Sequence, residues 1–307
     1  MKILITGGGG FIGSFLINDL LTENQIICLD HKSNSEIFQK TMKNVSFVKG
    51  DITDSKILNK VFQKSIDCVI HFAGILGNGA CMENPTNSVL SHIYGTQKLC
   101  QKSVENNVKH FIFASTQSVY STFKKRKNPI NEKMALEPDD LYGSLKTSAE
   151  FTIRNSGLNY TILRFANVFG YNPHISQKEG AIENFIKAVF NKSDISIYGS
   201  GKQKIDYVNV KDVSNCIKLV IKNSKSYNEI YNIGSGELHS IAEIAKMISS
   251  NGKILTGKNT KIKKLPAPSD KIWPDRLISI KKIKNSLGWH PTTSFEKGIY
   301  DIMEKRV

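Results

Sequence analysis

The chain has 307 residues, 40% of them hydrophobic, with 8 prolines; that is enough apolar material for a large core in one domain or two closely packed ones, and it excludes a disordered chain. Its formal charge of +15 comes from 42 Lys+Arg against 27 Asp+Glu, but the densest runs, "FKKRKNP" and "KNTKIKKLP", carry no interleaved aromatics for base stacking, so they read as a solvated lysine-rich face and no nucleic-acid partner is expected. The longest apolar runs fall well short of the ~20 residues that span a bilayer, and "MKILITGG" lacks a cleavable signal layout, so a cytoplasmic protein without a membrane span is expected. In chain order, "KILIT", "QIICLD", "VSFVKGD", "DCVIHFAG", "HFIFAST" and "NYTILRF" are β-rich runs separated by helix-length segments, the alternation of a parallel sheet flanked by helices. The runs are almost continuously apolar, as they are when helices cover both faces of a sheet. Past residue 168 the rhythm breaks, and "EGAIENFIKAVFNK", "VKDVSNCIKLVIKN" and "SIAEIAKMISSN" predict helices separated by glycine-rich turns. The fold expected is α/β: a Rossmann-type doubly wound parallel sheet over 1–167, and a smaller C-terminal α/β lobe over 168–307, some of whose segments return to the sheet domain. Cys28, Cys68, Cys81, Cys100 and Cys216 lack C-x-x-C spacing and mostly sit in apolar surroundings; neither a disulfide framework nor a metal site is expected, and they read as reduced core thiols.

The first strand runs into "TGGGGFIGSFLINDLL", where Gly7, Gly10 and Gly13 are spaced G-x-x-G-x-x-G. Glycines there make a tight turn and let backbone N–H groups approach a pyrophosphate, while the helix N-terminus that follows favours its negative charge. Asp30 closes "QIICLD" about 20 residues on, where a carboxylate accepts both hydroxyls of an adenosine ribose and favours NAD over NADP. His31 and Lys32 moderate that preference, because they can partly offset a 2′-phosphate. The alternative is that Asp30 caps the next turn. On this reading residues 1–167 bind NAD and 168–307 mainly bind substrate. In "DLYGSLKTSAE", Tyr142 precedes Lys146 by one helical turn, a spacing that by itself also suits a surface pair worth a few tenths of a kcal/mol.

A longer series of motifs decides the context: "TGGGGFIG", "GDITD", "HFAG", "NPTNSVLSHIYGT", "FASTQSVY", "YGSLK", "LRFANVFG", "YGSGKQKIDYVNVKDV", "YNIGSG" and "SLGWHPTTSFEKGI" follow in that order along almost the whole chain. In this the chain resembles the extended short-chain dehydrogenase/reductases of the NAD-dependent epimerase/dehydratase family, in particular its nucleotide-sugar epimerases acting on UDP-galactose and UDP-glucose at C4. The resemblance implies that Phe11 and Ile12 join Gly7, Gly10 and Gly13 at the cofactor, that Asp51 and Ile52 flank the adenine, and that Phe72, Ala73 and Gly74 line the cofactor path. It implies that Tyr142 transfers the proton, that Lys146 holds the nicotinamide ribose, and that Thr116, four residues before Tyr120, bonds the reacting hydroxyl. A free tyrosine titrates near pH 10, about three units too high for a base at neutral pH, and the Lys146 ammonium with the positive nicotinamide is expected to narrow that gap.

The chemistry implied is hydride transfer between a sugar carbon and NAD. An epimerase passes through a 4-keto sugar and returns the hydride to the other face, with no net reductant. A 4,6-dehydratase of the family carries an Asp-Glu pair directly after the catalytic Thr; here Gln117 and Ser118 stand there, and neither performs that proton transfer well. Two other classes stay open at this level: a keto-sugar reductase or dehydrogenase that consumes cofactor, and a non-catalytic dinucleotide-binding or RNA-associated protein, for which the basic charge is the one supporting feature. Asn167 matches the residue that meets the substrate diphosphate. Ile205 replaces the arginine that often precedes Asp-Phe/Tyr and binds phosphate, so a bidentate contact is lost, and Arg276 supplies the charge unless it is a structural ion pair. Leu76 stands where 4-epimerases of the family carry a cofactor-contacting lysine, and His92 where the family has asparagine, either as a packed residue or as a polar contact near the nicotinamide. The helices around "NSVLSHIYGTQKLCQKSV" and Tyr142 resemble those that pair in homodimers of the family, so a homodimer is expected.

Overall fold

The computed structural model describes residues 1–31, 45–121, 129–173, 180–267 and 274–307. Lys32 and most of "FKKRKNP" lie outside the described residues. Thirteen strands occur among them: β1 (Lys2–Thr6), β2 (Gln25–Asp30), β3 (Val45–Lys49), β4 (Cys68–His71), β5 (His110–Thr116), β6 (Tyr160–Phe165), β7 (Asn167–Phe169), β8 (Ile195–Tyr198), β9 (Lys204–Ile205), β10 (Tyr207–Asn209), β11 (Glu229–Ile233), β12 (His239–Ser240) and β13 (Ile262–Leu265). Seven form one sheet in the order β11-β6-β5-β4-β1-β2-β3, with every neighbouring pair parallel. The order reverses between β1 and β4, and in such sheets the crevice outside the strand ends at that reversal takes the ligand.

The six apolar runs read from the sequence are β1 to β6. Their alternation sorts side chains onto two faces. Ile3 and Ile5 of β1 join Leu16 and Ile17 of the Phe11–Leu20 helix and Cys216 and Ile217 of the Val210–Ile221 helix. Leu4 faces the other way, with Leu58 of the Ser55–Phe62 helix, Leu99 of the Thr96–Glu105 helix and Ala149 of the Leu141–Arg154 helix. Ile3, Leu4 and Ile5 are all fully buried, each contributing about 1.5–3 kcal/mol from removal of its side chain from water. All five cysteines are buried and unpaired.

The seventh strand, β11, is absent from the runs the sequence singled out. "EIYNI" is short and half polar, because a sheet edge needs no continuous apolar run, and its place beside β6 comes from tertiary pairing. A third apolar cluster gathers the Ala181–Phe190, Ile241–Thr256 and Phe295–Glu304 helices through Ile186, Ile244 and Ile299. The Ile241–Thr256 helix opens on a capping box of Ser240 and Glu243 and runs five residues beyond the stretch "SIAEIAKMISSN" to a left-handed Gly257. The lysine-rich β13 pairs with β8 and all four of its residues are exposed. Among the described residues no helix is long and apolar enough to cross a membrane.

Candidate active site

The glycine turn sits at the sheet's reversal. Gly7 has φ +71°, and a Cβ there would stand 2.6 Å from the Ala73 backbone nitrogen, so only glycine lets the turn after β1 lie directly on the turn after β4. Gly10 donates its N–H to the Gly7 carbonyl at 3.0 Å and stands at the N-cap of the Phe11–Leu20 helix, where it offers no capping side chain. That leaves the positive end of the helix turned toward the crevice, the arrangement an anionic pyrophosphate requires. Asp30, at the end of β2, is buried, and its Oδ2 accepts the Gly9 N–H at 2.8 Å. The carboxylate therefore lies over the glycine turn, where the ribose assignment needs it. Phe72, Ala73 and Gly74 follow β4 at the same edge, with the Phe72 N–H bonded to the Thr6 carbonyl. The Asp51 carboxylate, exposed beyond β3, accepts from the Thr53 N–H and hydroxyl at 2.8 Å each, while the Ile52 side chain is committed to the core.

Thr116 ends β5 and caps the short Gln117–Tyr120 turn, its hydroxyl oxygen accepting the Ser118 N–H at 3.2 Å. The Leu141–Arg154 helix starts because Asp140 accepts the Gly143 N–H at 2.7 Å, a side-chain cap at the helix N-terminus. Gly143 packs against the Ser118 carbonyl, and Lys146 Nζ donates to the Ala114 carbonyl at 2.8 Å. These contacts draw the helix along the end of β5 and bring Tyr142 and Lys146 to the strand that carries Thr116. Lys146 Nζ lies 5.9 Å from the centre of the Tyr142 ring and 4.6 Å from that of Phe113.

The protein's own groups push the two titrations in directions the spacing does not reveal. Burial, with the Cys81 thiol and the Asp140 carboxylate adding to it, drives the Tyr142 phenol well above its ordinary value. Burial lowers Lys146 to about 8, against the Glu150 carboxylate and the Cys81 thiol, which favour its charge. Within the protein alone Lys146 does not bring the phenol down, since desolvation of the phenolate outweighs a cation held on the Ala114 carbonyl.

Asp206 organises the opposite wall. It is fully buried and accepts from the Ser235 N–H and hydroxyl at 2.7 and 2.8 Å and from the Gly236 and Ile278 N–H groups at 3.3 Å each; burial raises its pKa against these donors. The bonds hold the 276–278 segment beside β9, where Arg276 bridges Ile205. Burial works against the charge of Arg276, while Tyr207, Asp139 and Asp140 support it. Asn167 lies between: its Oδ1 accepts from Gln117 Nε2 at 3.4 Å. The Gln117 Oε1 is buried with no hydrogen-bond partner among the described residues.

A family model, that of the NAD dependent epimerase/dehydratase family, matches residues 3–234. The chain belongs to that family. It is 29% identical to the UDP-N-acetyl-alpha-D-glucosaminuronate decarboxylase of Bacillus cytotoxicus, over 99% of this chain and 97% of the relative, and 29% identical to the UDP-glucose 4-epimerase of Halalkalibacterium halodurans, over 95% and 91%. The crystal structure of the Thermotoga maritima UDP-glucose 4-epimerase with UDP-glucose superposes with a TM-score of 0.87 at 29% identity, covering 100% of this chain and 99% of that one. NAD is the cofactor of the family, and the glycine turn, the helix terminus and Asp30 fit it. For this family member Asp30→Ala is expected to weaken NAD more than NADP, by about tenfold for the loss of a charged hydrogen-bonding group. Fluorescence titration with both cofactors measures the difference, and equal affinities before and after the change would break the ribose assignment.

Several residues that build the site were passed over in the sequence. Asp140 was legible as a helix cap directly before an apolar-periodic segment, and Glu150 as the residue one turn beyond Lys146. Cys81 and Asn78 carried no local signal, because their part in the site comes from the short Asn78–Glu83 helix packing against a helix more than fifty positions away.

Proposed function

We propose that the chain is a nucleotide-sugar 4-epimerase, with residues 1–167 holding NAD and 168–307 mainly holding the sugar nucleotide. The observation that carries this reading is Thr116 at the end of β5 with the helix of Tyr142 and Lys146 drawn to the same strand, at the sheet edge that also carries the glycine turn two strands away, with Gln117 and Ser118 where a dehydratase needs an acid and a base. NAD, when bound, supplies the hydride acceptor and donor. Gly7, Gly10, Phe11, Ile12 and Gly13 would hold its pyrophosphate, Asp30 its adenosine ribose, Asp51 and Ile52 the adenine edge, Phe72, Ala73 and Gly74 the path between, and Lys146 the nicotinamide ribose.

In the reaction Thr116 would orient the C4 hydroxyl, and Tyr142, whose phenol burial raises in the protein alone, would take the hydroxyl proton as a phenolate formed once the positive nicotinamide joins Lys146 in offsetting that burial, as the carbon is oxidised. The 4-keto sugar turns over in the site, and Tyr142 returns the proton when the carbon is reduced on its other face. Asn167 and Arg276 are assigned to the substrate diphosphate, with Arg276 compensating for Ile205. The experiment is to incubate the protein and NAD with UDP-, GDP-, CDP- and dTDP-sugars, following sugar stereochemistry by NMR and NADH by absorbance. Interconversion of two stereoisomers without net NADH supports the epimerase. Stoichiometric NADH would move the protein to the reductase and dehydrogenase class.

The same reading includes a homodimer. Leu90, Tyr94, Val104 and Phe151 are exposed along the Leu90–Glu105 stretch and the Leu141–Arg154 helix, and large apolar side chains grouped on adjoining helices mark an interface. Tyr94→Glu combined with Phe151→Glu is expected to halve the mass seen by light scattering and leave the circular dichroism unchanged; a mass independent of these residues would remove the interface assignment.

A further inference from the structure

The chemistry above gives no task to His92, although it is the buried titratable side chain that touches Tyr142. It lies in Leu90–Gly95, where the chain winds as a π-helix between the ordinary helices Pro85–Val89 and Thr96–Glu105. Such wide turns are unfavourable and gather at functional positions. His92 is 1% exposed, and its Nε2 stands 2.9 Å from the Ile75 carbonyl oxygen. A carbonyl only accepts, so Nε2 carries the proton and donates, which fixes the tautomer. Burial, with the Lys146 ammonium adding to it, lowers its pKa to about 3, and the ring is neutral throughout the working range.

The ring reaches the catalytic helix directly and through the segment after β4. It meets Tyr142 edge to face, with ring centres 5.8 Å apart and planes at 75°. On another side lies Gly74 at φ +145°, so close that a Cβ there would stand 2.4 Å from His92 Cε1. The loop that Gly74 opens runs into the Asn78–Glu83 helix, which makes two further ties. The Ile75 carbonyl also accepts from the Cys81 thiol at 3.6 Å, and Asn78 Oδ1 accepts the N–H of Leu141, the first residue of the Tyr142 helix, at 3.1 Å. A short loop and the Asn78–Glu83 helix that follows it thus join the end of β4, the His92 ring and the start of the catalytic helix.

We propose that His92 is a positioning residue that clamps the 74–77 loop and the Asn78–Glu83 helix it leads into onto the first turn of the Leu141–Arg154 helix and so sets the orientation of the Tyr142 ring. One N–H donor fixes the loop and one flat face fixes the phenol, and a neutral imidazole offers both without bringing a second charge beside Lys146. The proposal rests on the assignment of Tyr142 made above.

Two substitutions separate the donor from the ring. His92→Phe keeps a flat ring and removes the N–H; His92→Gln restores an N–H near the Nε2 position and removes the ring. In His92→Phe, amide hydrogen exchange at Leu141 is expected to rise about tenfold, the equivalent of one net hydrogen bond, with exchange in β1 unchanged. Its kcat on the nucleotide sugar found active is expected to fall about tenfold with KM little altered, as for a group that acts on orientation. His92→Gln should recover most of the Leu141 protection. Wild-type exchange at Leu141 in His92→Phe, or no recovery in His92→Gln, overturns the proposal. Should His92→Phe fail to fold, Gly74→Ala presses on the ring from the loop side and must give the same faster exchange; unchanged exchange there overturns the clamp as well. The exchange measurement needs no substrate, so a wild-type protein inert on every nucleotide sugar would sink the epimerase reading while the Leu141 amide still decides the role of His92.

Discussion

Tyr142→Phe is expected to lower turnover by about 10²–10⁴-fold, the range for loss of a positioned acid-base group, with NAD affinity retained. The reason for separating the two effects is geometric. Phenylalanine keeps the ring that packs on His92 and leaves Lys146 on the Ala114 carbonyl, so the helix and the assigned cofactor contacts stay in place. What disappears is a single exchangeable proton. The nearest imidazole offers no replacement: His92 is neutral and already donates to Ile75. NMR of the sugar pair with NAD present reads turnover, and fluorescence titration reads binding. Wild-type turnover in the variant would remove Tyr142 from the mechanism.

The second large effect is expected at Glu150, which together with Arg164 forms a buried ion pair. The two side chains are 0% and 2% exposed, with Arg164 Nε 2.9 Å from Oε1 and Nη2 2.6 Å from Oε2. Ser115 donates to the same carboxylate, Arg164 Nη1 donates to the Tyr120 hydroxyl at 2.7 Å, and Tyr120 donates to Asn232 at 2.8 Å. Burial opposes the arginine's charge, and Glu150 and Tyr120 outweigh it, so its pKa is raised. Glu150→Gln leaves that guanidinium buried without its counter-charge, at an expected loss of about 3–5 kcal/mol in stability, measured by urea unfolding. A second consequence reaches the catalytic pair. Lys146 sits one turn away with a pKa lowered to about 8, and Glu150 is what holds it from falling further. The ammonium is present below that pKa and lost as pH rises through it, so removing Glu150 moves the alkaline fall of activity to lower pH. An unmoved alkaline limb together with wild-type stability would contradict both parts of the argument.

Six strands, the glycine turn and the Tyr142–Lys146 spacing were legible in the amino-acid sequence because each is local. Apolar runs such as "KILIT" and "HFIFAST" announce strands covered on both faces, and Gly7, Gly10 and Gly13 fall between one such run and a helix. The family, too, is a property of ordered short motifs, from "TGGGGFIG" to "SLGWHPTTSFEKGI". β11 was not legible in the same way, since an edge strand as short as Glu229–Ile233 is specified by its pairing partner and not by its own pattern. Nor was the direction in which Tyr142 titrates. The narrowing expected from Lys146 together with the positive nicotinamide belongs to the loaded site, whereas desolvation is set by how the whole chain closes around a group, and in the protein alone it raises the phenol. The same holds for the Arg276 bridge to Ile205, the Arg164–Glu150 pair and the hold of His92 on Ile75. In these the residues that meet come from separate segments, and their energies depend on distance and burial, quantities that exist only once the chain is packed.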